Sequence, residues 1–548
     1  MMIYLLAWLI ALFSVQPVLA TIYWAESAGS NSIACTSIDS TSPDDDPGVY
    51  GTIGRAANCA TQPGDRVYIL PGTYTSSNHK IDTETTTPNF ASGTSESVRM
   101  IISGVPGMAR PQINVTSPFI QFRGNATANT RNWVTIENLN VTDTSVGSGG
   151  SCIFQVIGNH IRIQHANIAD AWSEAICTHR ADVVPVTSDL HLNDLHVTNP
   201  GRDGLGYSLY GSGTDDVLVE NSYLEGLQQV LQFTSSVPGQ FPKRPVIRNN
   251  YLKGLNHNGL CNGIASESPG TLVYNNIFEG CTGGATNGAA IVIGYNGNQG
   301  QSLEAYNNTI FNWKASGIQV GLFNVSGPTT AIIRNNYFYN NGNGTTLACY
   351  QTFNSTTVTI DHNAAVSGTS SCGTNKVTIT DLSSAFVSSS DLRLKLGTNP
   401  AVDAGVSVQT RTIFAGSAPD IGHMERGEIV SAVFSNGTLE LTVQSIASIT
   451  PASNITGLTI QNGTSTGTPV VDSSLVLPGS TNIIQATVSG FATNGTCTVS
   501  YSSGNLKDTH YVGTLTTALS QDVNTVSSLA AIGTCANTGG GPPPTTGL

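Results

Sequence analysis

Four stretches set above one another, VIRNNYLK (246–253), TLVYNNIF (271–278), LEAYNNTI (303–310) and IIRNNYFY (332–339), decide how this chain is read. In each, a short apolar strand runs into a pair of asparagines and a second apolar strand follows at once. Looser copies are VTIENLNV (134–141), IRIQHANI (161–168), LHLNDLHV (190–197), VLVENSYL (217–224) and VTIDHNAA (358–365). Aligned, they place Asn138, His165, Asp194, Asn221, Asn249, Asn275, Asn307, Asn335 and His362 in one column, with separations between 26 and 32 residues. A hairpin array is excluded, because the tight hairpin needs a glycine-containing turn that Asn-Asn followed by an apolar residue lacks. The pair reads instead as a bend in a repeating coil. Asparagine tolerates the left-handed backbone region, and its amide can donate to and accept from the asparagine of the next coil, which predicts a structural ladder. His165 and His362 belong to that ladder as substitute hydrogen-bonding groups.

A third strand per coil is predicted near 152–158, 175–180, 204–210, 230–235, 262–267, 288–295, 316–323 and 347–353. Three strands per repeat of about 28 residues make a solenoid whose core grows by adding coils. Composition agrees. Only 10% of the residues are charged, and Gly, Asn, Ser and Thr dominate, which suits short strands and tight turns rather than amphipathic helices.

Residues 1–20 end an apolar run with Val18-Leu19-Ala20, the pattern of a cleaved signal peptide, so a secreted or cell-surface protein with no membrane span after cleavage is expected. Ten cysteines in an exported chain read as disulfides. Taken in order they pair as Cys35/Cys59, Cys152/Cys177, Cys261/Cys281, Cys349/Cys372 and Cys497/Cys535, and the first four separations are close to one coil, where stacked residues meet at disulfide distance. A formal charge of −13 argues against nucleic acid as a partner.

The chain resembles the right-handed parallel β-helix proteins of the pectate-lyase superfamily over residues 21–425. The resemblance rests on the opening coil GDRVYILPGTYT (64–75), the NNxF-type repeats, and the closing NPAVDAG (399–405) with APDIGHME (418–425). It implies an all-β solenoid. From 426 to 537 the pattern changes to alternating Ser/Thr/Val-rich strands, and the stretch TVSYSSGNLKD is similar to bacterial surface Ig-like domains, which implies a small β-sandwich. Residues 538–548 read as a Gly/Pro-rich flexible tail.

The superfamily holds lyases, hydrolases and non-catalytic surface proteins, so chemistry has to be argued from a site. An extended polysaccharide suits long solenoid faces. A lyase acting on a uronic acid needs a base for the proton α to the carboxylate and a cation to neutralise that carboxylate. The basic residues on third strands or their following loops are His179, Arg180, Arg202, Lys243 and Arg244, with Tyr207 and Tyr210 nearby. Lys243 or His179 is the expected base, Arg180, Arg202 and Tyr207 share the catalytic set, and Arg244 and Tyr210 bind sugar. Asp203, Asp182 and Glu267 are the expected oxygen ligands of a Ca²⁺ ion. Two alternatives stand beside the lyase. One is a non-catalytic carbohydrate-binding or adhesion protein; the other is a polygalacturonase-like hydrolase, which would need two carboxylates across the scissile bond.

Overall fold

The computed structural model describes residues 20–533 except 30–34, 36–48, 76–78, 84–86, 117, 123–129, 146–151, 179–186, 203–205, 235–241, 256–259, 282–287, 295–299, 322–328, 343–346, 355, 387–391, 393, 395–398, 411–417, 424–427, 436–437, 445–447, 451–457, 463–464, 472–481, 490–494, 502–506, 511–518 and 523–525. The chain is all-β, a parallel β-helix followed by antiparallel sheets, and it forms two compact units. Unit 1 comprises Met1–Leu218 with Leu231–Pro242, and unit 2 comprises Val219–Val230 with Lys243–Leu548.

Unit 1 opens on Ile22–Ala25, which pairs in parallel with Arg66–Ile69, and that strand with Met100–Gly104. The opening coil is pinned by its polar residues. Asp65 accepts from the backbone N–H groups of Thr21 and Gln62 at 3.2 and 2.9 Å, and the Tyr74 hydroxyl donates to the carbonyls of Ala25 and Leu70 at 3.0 and 2.8 Å. A short helix, Ile53–Cys59, is capped by Thr52, whose hydroxyl accepts from the Arg55 N–H. Three long strands follow in register, Val134–Asp143, Asn159–Ala169 and Ser188–Thr198. Their inward rows stack like on like: Ile136, Ile163 and Leu192 form one file, Val141, Ile168 and Val197 another, and all are at most 1% exposed. Burying each such side chain contributes about 1.5–3 kcal/mol.

In unit 2 each coil's first sheet breaks at the Asn-Asn pair, as in Val246–Arg248 followed by Tyr251–Gly254, and Thr271–Tyr274 followed by Ile277–Glu279. The third strands Asn262–Ser266, Ala289–Ile293, Ser316–Val320 and Tyr350–Thr352 pair in parallel as a separate sheet.

All nine residues of the bend column have left-handed backbones, with φ between 50 and 57°. The amide ladder, however, lies one residue further on. The Nδ2 groups of Asn250, Asn276, Asn308 and Asn336 donate to the Oδ1 of the asparagine one coil above, at 3.0, 3.0, 2.9 and 3.2 Å, ending on Asn363. Each of those Oδ1 atoms also accepts the backbone N–H of the residue below, at 2.8–3.0 Å. Side chains thus take the bonds that strand backbones would exchange, and this interrupts the strands. The reason for the shift is geometric. The left-handed residue turns the chain so that its successor points inward, and an inward amide must find every partner inside the protein. In unit 1 the inward successor is Leu139, Ala166 or Leu195, all fully buried, and the strands run through the bend unbroken.

Four disulfides form, Cys35–Cys59 within the opening coil and Cys152–Cys177, Cys261–Cys281 and Cys349–Cys372 further along the solenoid, with Cα separations of 5.2–6.3 Å. Cys497 is also disulfide-bonded, and Cys535 lies outside the described residues. After the last parallel strand, Val377–Ile379, described residues between 382 and 423 strap the outer face of unit 2's post-bend strands. Leu382, Ala385, Phe386, Ala401 and Ile421 cover Ile277, Phe311, Tyr337 and Ala364. The ring of Phe386 meets Tyr337 edge-on at 4.8 Å. Polar bonds fix its register: the amides of Asn307 and Asn335 donate to the carbonyls of Asp420 and Val406, and Thr309 Oγ1 bonds His423 Nδ1 at 2.8 Å. Antiparallel strands begin at Glu428–Ser435 and enclose a core of Ile429, Phe434, Leu439, Leu441, Ile460 and Val499. Among the described residues no helix is long and apolar enough to cross a membrane.

Candidate functional site

The residues that the sequence singled out fall into three groups. His179, Arg180, Asp182 and Asp203 lie outside the described residues. Tyr207 and Glu267 are buried, and Arg202, though exposed, is tied to a buried carboxylate. The Arg202 guanidinium donates to the Asp143 carbonyl at 2.6 Å, lies 3.6 Å from its fully buried carboxylate and sits 5.5 Å over the Trp172 ring. The same carboxylate accepts from the backbone N–H groups of Trp172 and Ser145, so Arg202 is the counter-ion of a knot linking three coils. Tyr207 is buried against the half-buried Tyr210, ring to ring at 5.5 Å, and Glu267 is 1% exposed. Glu267 therefore does not offer the open carboxylate that a substrate-facing cation needs. Among the described residues no three His, Cys, Asp or Glu side chains converge as ligands of one ion.

Lys243 and Arg244 form the third group, and both are exposed. They lead into the strand Val246–Arg248 of unit 2. Arg244 takes a left-handed backbone with φ 54°, its N–H donates to the Pro269 carbonyl, and its side chain lies over Gly270, where a Cβ would come within 3.3 Å of Arg244 Cγ. A glycine there makes room for the guanidinium.

The sheet that these two cations introduce carries an outward row. Strand register stacks Arg248, Tyr274, Tyr306, Arg334 and Asp361, one per coil at about 4.8 Å. Arg248 is held by Glu220 at 2.6–2.7 Å and donates to the Tyr274 hydroxyl at 3.0 Å. Tyr306 donates to Glu304 at 2.6 Å; burial, with Glu304 alongside, raises its phenol above the ordinary value and keeps it protonated. Arg334 pairs with Asp361 at 3.0 Å. Both arginine side chains remain about one third exposed, at 37 and 33%. Tyr306 is itself buried, so the row offers solvent the guanidinium groups of Arg248 and Arg334 and the half-buried Tyr274, able to grip hydroxyls and carboxylates.

Unit 1 exposes a different face. His160 Nδ1 bonds Asp189 Oδ2 at 2.5 Å and, five residues on, His165 Nδ1 bonds Asp194 Oδ2 at 2.6 Å. The His160 ring stacks on Trp133 at 3.7 Å, Arg99 lies 5.6 Å over the same indole, and Arg162 pairs with Glu96 at 2.7 Å. The hydrogen bond from Asp194 holds the His165 imidazole above its ordinary value. The signal in the sequence is the comparison of NHIRIQH (159–165) with SDLHLND (188–194), which sets imidazole opposite carboxylate twice.

No family model matches the chain, and no curated protein matches it. Solved structures similar to it include a pectate lyase, at 17% identity and a TM-score of 0.45 over 75% of this chain and 98% of that one. An alginate lyase from a Paenibacillus species matches at 14% and 0.34, over 60% and 96% respectively. A tailspike protein of the Acinetobacter baumannii bacteriophage Fri1, a capsular polysaccharide depolymerase, matches at 12% and 0.36, over 81% and 76%. At these values the likenesses carry no argument about chemistry, and the fold stands on the strand pairing itself.

Proposed function

We propose that this chain is an extracellular polysaccharide-active protein that cleaves a uronic-acid-containing glycan by β-elimination. One observation carries the reading: the exposed Lys243 and Arg244 open the sheet whose outward row presents Arg248, Tyr274 and Arg334, with the buried Tyr306 between the last two. The rise per coil is close to the length of one sugar in an extended glycan, so a polymer lying along the row keeps step with the coils. In the reaction, Lys243 in its neutral form takes the proton α to the uronate carboxylate while Arg244 offsets the charge that develops there. The released electron pair forms the C4–C5 double bond, the C4–O bond to the leaving sugar breaks, and that oxygen takes a proton from water.

Purified protein incubated with pectate or alginate should raise absorbance near 235 nm as the unsaturated product forms. Lys243→Ala should lower kcat at least about 100-fold, within the usual contribution of a general base, with the thermal transition unmoved. No absorbance change with either polymer, or full activity in Lys243→Ala, overturns the reading. Ca²⁺ enters through a second arm: loss of activity in EDTA and its return on adding Ca²⁺ supports a calcium-assisted elimination, and unchanged activity in EDTA removes the ion from the proposal. A binding-only role is the second reading, favoured by the burial of Tyr207 and Glu267 in packing. Binding of the polymer without either an unsaturated product or new reducing ends decides for it, whereas new reducing ends alone decide for hydrolysis.

A further inference from the structure

Five of the ten histidines lie between residues 160 and 196, and four of them, His160, His165, His191 and His196, take no part in the elimination reading. These four fall on the two adjacent strands Asn159–Ala169 and Ser188–Thr198 of unit 1, whose register is continuous across the bend. Asp189 and Asp194 each engage an Nδ1 edge, so the Nε2 edges of His160 and His165 are the ones turned to other partners. Arg162 lies between the two on the same strand. The five-residue interval between the imidazoles spans roughly 16 Å of extended strand, a reach of several sugars.

We propose that this face is a second contact for acidic polysaccharide, engaged on acidification, in which His160, His165 and Arg162 hold carboxylate groups of a chain lying across the two strands. The charge count motivates it. The fixed cations Arg99 and Arg162 face Glu96, His160 faces Asp189, and His165 faces Asp194 with Glu137 and Arg110 close enough to act on it. Trp133 packs under His160 without charge. With the imidazoles neutral, carboxylates outnumber the cations of this face. Protonation of His160 and His165, the two imidazoles that face carboxylates, reverses the balance. Because Asp194 holds His165 above its ordinary value, its charge is present at higher pH than in an ordinary imidazole. The Asp bonds survive protonation, since Nδ1–H donates in both states, so the face is positioned before it is charged.

The ligand class rests on the acidic-glycan reading above, and catalysis does not enter. The test therefore uses the Lys243→Ala chain, immobilised polygalacturonate as probe and neutral dextran as control, in EDTA. Binding at pH 5 should be at least tenfold tighter than at pH 7.5 and should weaken with salt, while dextran binding stays flat. The double variant His160→Asn/His165→Asn should bind at pH 5 as the parent does at pH 7.5. Asparagine is the native occupant of the His165 column at Asn138 and Asn221 and tolerates the left-handed backbone at both sites. Should the double variant unfold, His165→Asn alone should lose part of the tightening. Equal parent affinity at the two pH values, equal tightening on dextran, or tightening retained in the folded variant overturns the proposal. Elimination by the unaltered chain is scored separately, so failure of the catalytic reading and failure of this one are distinct results.

Discussion

Asn275 and Asn276 share one amide chemistry and serve it differently: the first is suited by its backbone, at φ 56°, and the second by its side chain, which is 0% exposed. Asn276 Nδ2 lies within bonding distance of the carbonyls of Ile247 and Tyr274 as well as Asn308 Oδ1, and its own Oδ1 accepts from Asn250. Asn276→Ala leaves several buried polar groups unpaired and should lower stability by about 2–3 kcal/mol. Asn275→Gly keeps the left-handed bend and should lose less than about 1 kcal/mol. Urea midpoints of the two variants check this, and equal losses would sink the division of labour. The bend column was legible in the sequence because its period is long and regular. Which asparagine of each pair faces inward was not, because a left-handed residue reverses the side on which the next side chain emerges.

Among elements, the strap over unit 2 shows how far apolar patterning carries. NPAVDAG and APDIGHME were recognisable as a closing segment, yet nothing local reveals that Ile421 and Phe386 will cover Ile277 and Tyr337. Those contacts join residues more than a hundred positions apart in the case of Ile277 and Ile421. Phe386→Ala removes a fully buried ring and should cost about 3–5 kcal/mol, exposing apolar surface that binds a hydrophobic dye while the disulfides stay closed. Unchanged stability would mean that the strap is not held by its core. Arg202 shows a contact that the sequence did not announce. A cation in a loop reads as a site candidate, but here its partner is a buried carboxylate 59 residues earlier, and no local pattern announces such a counter-ion.

For the molecule as a whole, solenoid logic made fold class, third strands and the disulfide pairs of successive coils readable before any coordinates, because all depend on one repeating length. The working faces were less readable, since outward rows have no burial requirement to impose a period on them. The strand-to-strand register of unit 2 nevertheless has a practical corollary. The inner amides of Asn250, Asn276, Asn308 and Asn336 hand their hydrogens to the coil above in the same sense, so these coils share one amide coupling and could be copied like a link. Duplicating residues 272–303 in tandem should give a folded, longer protein whose glycan affinity rises with the number of links, measured on oligosaccharides of increasing length. A duplicate that folds but shows no preference for longer oligosaccharides would mean that the outward row does not track its ligand.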